Sequence, residues 1–154
     1  MPGHRDTPLA EWFTSELAIL EGRLREDLQG HATVQRQVLE GGRISAVDVA
    51  PNNQDSLHVS WIEMLDEVIL EVGSAGRWEL AETQDALTLI EKIIAAVVAG
   101  RVTETTSPGR SFVEVMLDDG ATESSTRATA RSGSTMRLPG AQKSESTIRY
   151  QPYH

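Results

Sequence analysis

The sequence predicts an α+β fold: a mostly antiparallel sheet of six to eight strands with two helices packed on one face, in the order helix, strands, helix, strands. Three observations carry this. Residues 9–28 repeat apolar side chains at three- and four-residue steps. Residues 84–98 do the same more strongly, between a Thr and a Gly. Nearly everything else between residues 31 and 123 alternates apolar and polar residues, broken by Gly, Pro, Asn and Asp.

In the first helix Leu9, Phe13, Leu17, Leu20, Leu24 and Leu28 form one stripe, widened near its start by Trp12. Thr7 can cap it, and Pro8 suits the first helical position, where its missing N–H is not needed. Gly30 is the natural stop, so the helix is expected over roughly residues 8–28.

Residues 31–81 read as strands. Two extended runs flank Gly41-Gly42, a pair that tolerates the positive φ of a tight hairpin. The first run leaves strand and helix open over residues 31–40, because Val34 and Val38 also fit a helical step. In the second, Ser45, Val47 and Val49 share a face. After a loop rich in turn formers at residues 51–55, Leu57, Val59 and Trp61 share a face, and then Val68, Leu70 and Val72. A turn at residues 73–76 leads to Arg77-Trp78-Glu79-Leu80. One-faced alternation suits an antiparallel sheet covered on one side.

The second helix has Thr83 as cap, Asp85 near its positive end and Gly100 just past it. Leu87, Ile90, Ile93, Ile94, Val97 and Val98 make its apolar face. Beyond it, residues 101–106 are extended, Ser107-Pro108-Gly109 turns, and Val113, Val115 and Leu117 share a face. Asp118-Asp119-Gly120 closes a further hairpin. Residues 127–147, rich in Ser, Thr and Arg, read as a flexible segment, and TIRYQPY at residues 147–153 regains β-formers able to pair with the sheet. The expected organisation is an N-terminal arm, residues 1–6, and one domain, residues 7–153.

With 154 residues and 39% hydrophobic composition, one domain can bury its own core. There is no cysteine, so thiolate chemistry, disulfides and zinc–thiolate sites are excluded. The N-terminus lacks the apolar core of a signal peptide, and no apolar run approaches the ~20 residues that span a bilayer. The expectation is a cytoplasmic protein that binds no membrane. The net charge of −9 is uneven: residues 1–123 hold nine Lys and Arg against 22 Asp and Glu, and residues 124–154 hold five against one. An acidic body repels phosphates, which argues against nucleic acid, and steers a basic partner into encounter.

Candidate chemistry is sparse. None of His4, His31, His58 and His154 forms a metal-type pair, and no Gly-x-Ser-x-Gly elbow occurs. The acidic turn at 118–120 lacks calcium-loop spacing, and SPGRS at 107–111 lacks the helix that follows a phosphate loop. Trp12, Trp61 and Trp78 are read as core anchors. Arg127, Arg131, Arg137 and Lys143 have no interleaved aromatic residues for nucleic acid. The expectation is therefore no catalytic residues, no cofactor and no metal. The remaining candidates form an acidic partner-binding patch, Glu63, Asp66, Glu67 and Glu71 around one hairpin, with Arg77 and Trp78 as an interface pair.

The segments GRWEL at 76–80, AAVVAGRVTE at 95–104, SPGRS at 107–111, the DG at 119–120 and YQPY at 150–153 resemble a group of small, uncharacterised actinobacterial proteins. The resemblance covers about the second half of the chain. It implies that residues 76–153 form one unit, terminal aromatic segment included, and it implies no activity.

Two classes of function follow. One is a non-catalytic acidic interaction protein, of which an immunity-type neutraliser of a basic toxin is a concrete version. The other is a small-molecule binder or enzyme with a site assembled on the sheet, which requires a deep pocket of convergent polar groups. A homo-oligomer covering the open sheet face is a third reading.

Overall fold

The computed structural model describes residues 8–128 and 145–154. Helix α1, Glu11–Asp27, is followed by strands β1 (Ala32–Leu39), β2 (Ile44–Pro51), β3 (Val59–Glu63), β4 (Glu67–Val72) and β5 (Gly76–Ala81). Helix α2, Gln84–Val98, leads to β6 (Val102–Ser107), β7 (Arg110–Met116), β8 (Thr122–Ala128) and β9 (Ser146–Arg149). The fold is α+β, and all pairings are antiparallel.

The single sheet of six to eight strands expected from the alternation is corrected: nine strands among the described residues form two sheets, β1-β2-β3-β4-β5 and β8-β7-β6-β9. The sheets meet along β5 and β8. There the Arg77 N–H donates to Ser125 Oγ at 2.8 Å, and the Ser125 hydroxyl donates back to the Arg77 carbonyl at 2.9 Å. A side-chain hydroxyl at this seam bonds both backbone groups of Arg77, in place of a backbone ladder.

Helix α1 starts three residues later than Pro8 suggests. Ala10 is extended at φ −58° and ψ 143°, and its N–H is taken by Glu82 Oε2 at 2.7 Å. A carboxylate 72 residues away thus holds the entry to the helix. Thr7, the expected cap, lies outside the described residues. The stripe Leu9, Phe13, Leu17, Leu20, Leu24 and Leu28 is buried, but Trp12 is 46% exposed and meets Phe13 only edge-on. Helix α2 is capped as its sequence suggests, with Thr83 Oγ1 accepting from the Ala86 N–H at 3.1 Å. Its Leu87, Ile90, Ile93, Ile94 and Val97 are buried. The expected packing of both helices on one face of one sheet is corrected: α1 contacts β1 of the five-stranded sheet and α2, whereas α2 contacts β7 of the other sheet. No helix of the described residues is long and apolar enough to cross a membrane.

Residues 32–39 are strand, paired along their whole length with β2. The hairpin turn runs through Glu40, Gly41 and Gly42 at φ 50°, 66° and 93°, a left-handed run that two glycines make accessible. Val47, Val49, Val59, Trp61, Val68, Leu70 and Val72 have no exposed surface and line the covered face of the five-stranded sheet. On the second sheet Val113 and Val115 do the same, joining one continuous core.

Strand β8 continues to Ala128 and β9 resumes at Ser146, so both ends of the Ser/Thr/Arg-rich stretch lie in strands. Its centre lies outside the described residues, as does the arm at residues 1–6. Strand β9 pairs with β6, and the following segment laces the molecule together. The Gln151 N–H donates to the Asp55 carbonyl at 2.8 Å, the Tyr153 N–H to Val98 at 2.9 Å, and the Tyr153 hydroxyl to Leu57 at 2.6 Å.

Candidate functional site

Side chains alternate along each strand, so the face opposite the buried valines can be read from the register. Gln35, Asp48, Ser60, Glu71 and Arg77 pair in sequence from β1 to β5 and form one polar row across the five-stranded sheet. The neighbouring row is Gln37, Ala46, Ile62, Ile69 and Glu79. Glu67 shares this outer face with Ile69 and Glu71. A groove of about 640 Å³ runs over it, lined by Gln35, Gln37, Asp48, Ser60, Ile62 and Glu71. Ile62 is half-buried and Ile69 is buried, so the centre is apolar and the surround polar.

Four carboxylates, those of Asp48, Glu67, Glu71 and Glu79, share this face with one guanidinium, that of Arg77. Arg77 lies 3.7 Å from Glu71 and 3.4 Å from Glu79, and His58 pairs with Asp48. All these side chains are substantially exposed, so each ion pair contributes at most about 1 kcal/mol. The face remains net acidic.

The structure divides the six sequence-predicted residues between two faces. Glu67, Glu71 and Arg77 lie on the outer face, and Asp66 is exposed in the turn between β3 and β4. Trp78 is half-buried on the covered face, where it packs against the core. Glu63 is corrected most strongly: it is only 8% exposed and turned towards the core with Trp61. Trp61 Nε1–H donates to Glu63 Oε2 at 2.9 Å, and Arg36 Nη2 donates to the same oxygen at 2.9 Å. Arg36 also reaches Glu21 of α1 at 2.7 Å, and Arg25 reaches Glu21 at 2.9 Å.

This cluster of two carboxylates and two guanidinia ties α1 to β1 and β3. Burial opposes the charge on Glu21, but the hydrogen bonds and charges of Arg36 and Arg25 outweigh it and hold the carboxyl below its ordinary range. Burial likewise opposes the charge on Arg36, but the hydrogen bonds and charges of the Glu63 and Glu21 carboxylates outweigh it and raise its pKa. With its polar atoms satisfied, the cluster's chemistry is that of a structural clasp.

Sequence reasoning passed over two features. Arg36 was not singled out, although a charge in phase with Val34 and Val38 signals an inward cation in need of buried carboxylates. The C-terminal aromatic segment was expected only to pair with the sheet. Gly100, at φ 79°, approaches Pro152 so closely that a Cβ there would lie 2.6 Å from its nitrogen. Tyr150 donates its hydroxyl to Glu104 at 2.7 Å. Burial first, then the Glu104 hydrogen bond and charge, push the Tyr150 phenol up to about 12. Burial, with a smaller contribution from Asp48, pushes Tyr153 higher still. Among the described residues, no group of three or more His, Asp or Glu is placed to hold a metal ion.

Comparisons with protein-family models, with curated proteins and with solved structures find no match.

Proposed function

We propose that this chain is a protein-binding module that engages a basic partner through the outer face of its five-stranded sheet. One observation carries the reading: a face with an apolar centre at Ile62 and Ile69, flanked by Asp48, Glu67, Glu71 and Glu79. Protein interfaces combine a desolvated apolar centre with a polar rim. The carboxylates supply electrostatic steering, which raises association rates for a partner of opposite charge. An immunity-type neutraliser acting on a basic toxin in the cytoplasm is the concrete form of this reading.

The test is affinity capture with the wild-type chain and with a Glu67→Lys/Glu71→Lys/Glu79→Lys variant, followed by association kinetics at rising salt. A partner held by the wild type and lost by the variant, with an association rate that falls steeply as salt rises, supports the proposal. Equal capture by both chains, or association indifferent to salt, contradicts it.

A further inference from the structure

The five-stranded sheet ends at β1, an eight-residue strand with no proline and only β2 beside it. Backbone groups of successive residues point to opposite sides of a strand. The His31 carbonyl accepts from the Asn52 N–H on the β2 side, whereas the Val34 carbonyl accepts from the Arg25 guanidinium on the other. Odd-numbered residues therefore bond β2, and Val34, Arg36 and Val38 turn their backbone groups outward. Apart from the Val34 carbonyl, the outward N–H and C=O groups of these three residues have no partner among the described residues. Such an edge is a template for another strand.

The sequence of this edge is self-complementary. Val34-Gln35-Arg36-Gln37-Val38 reads the same in both directions, and its central residue is one of those facing outward. An antiparallel two-fold pairing centred on an outward-facing residue lets that residue exchange its N–H and C=O with its own copy. We infer that two copies of this chain join through β1, with Arg36 opposite Arg36 of the second copy.

The pairing sets Val34 against Val38 of the second copy on the covered face, and Gln35 against Gln37 on the outer face. Val38, 60% exposed in the single chain, gains an apolar neighbour. The Gln35 and Gln37 amides can bond each other across the seam. The two Arg36 charges approach, but each is already held by Glu21 and Glu63. The Val34 carbonyl has a second lone pair to accept an N–H beside Arg25. About six backbone hydrogen bonds form, and two five-stranded sheets become one. The outer faces of both copies then lie side by side, giving a partner two acidic surfaces.

Sedimentation of the full chain should give twice its 16.8 kDa mass. Val38→Pro removes an N–H that points away from β2, so it spares the intrachain ladder and abolishes the dimer, with the circular dichroism of the wild type retained. Because the chain has no cysteine, Gln35→Cys/Gln37→Cys offers an independent readout. Mild oxidation should link residue 35 of one copy to residue 37 of the other, as peptide mass mapping reads. The Glu67→Lys/Glu71→Lys/Glu79→Lys variant should stay dimeric, which separates this inference from the partner-binding proposal. A wild-type chain that sediments as a single copy when concentrated, a dimer that survives Val38→Pro, or a double-cysteine chain without the 35–37 link would each overturn it.

Discussion

The guanidinium of Arg36, on the edge strand β1, spans two buried carboxylates: its Nη2 lies 2.7 Å from Glu21 on α1 and 2.9 Å from Glu63 on β3. Helix and sheet are thereby joined through one cation. Removing it strands two carboxylates, each 9% exposed at the side chain, without a counter-charge. Arg36→Met should destabilise the chain by about 3 kcal/mol, read as a lower urea midpoint. Adding Glu21→Leu and Glu63→Gln should recover much of that loss, because the buried charges go together while an amide oxygen still accepts the Trp61 indole N–H.

Acid should loosen the same clasp. The folded-state pKa of Glu21 is below its ordinary 4.5, so the folded chain binds fewer protons than the unfolded chain as pH falls through this range. Its contribution is complete above the unfolded value and is lost as pH falls through the folded one. The urea midpoint should fall below about pH 4.5, and Glu21→Gln should be less stable at neutral pH with a shallower acid limb.

Base should release the C-terminal segment. Tyr150 and Tyr153 are the chain's two tyrosines, and both phenols are raised from 10.0. A raised folded pKa stabilises fully below the unfolded value and is lost as pH rises through the folded one. Ultraviolet titration should show both phenols ionising near pH 10 in denaturant and at about 12 or above in the native chain. Stability should decline above pH 10, and less steeply in Tyr150→Phe.

Gly100→Ala tests how this segment is seated. The new Cβ would lie 2.6 Å from the Pro152 nitrogen, at a φ of 79° that side chains rarely adopt. The substitution should destabilise by more than about 1 kcal/mol and return the tyrosine titration towards pH 10. A native-like titration curve would show that residues 150–153 hold their place without this close approach.

Much of the fold was legible because local periodicity and burial agree. The leucine stripe of α1, the Thr83 cap of α2 and the valines of β2, β3 and β4 behave as their spacing implies. What was not legible depends on groups far apart in the chain. The start of α1 is held by Glu82, and the inward turn of Glu63 by Arg36, 27 residues away. Trp61 and Glu63 share strand parity, so the placement of Glu63 could be read from alternation, but its compensating cation could not. The seam between the two sheets joins Arg77 to Ser125, 48 residues apart, which periodicity does not encode. In the candidate site, Glu67 and Glu71 share a face by their spacing along β4, whereas Asp48, Arg77 and Glu79 join them only once β2 and β5 take their places.

Carboxyl footprinting of the chain alone and bound to its captured partner reads directly which carboxylates the partner covers. Asp48, Glu67, Glu71 and Glu79 should lose reactivity on binding, while the exposed Glu11, Glu16 and Glu26 of α1 should keep theirs. Protection of the α1 carboxylates, with the outer-face four still fully labelled, would contradict binding through the outer face.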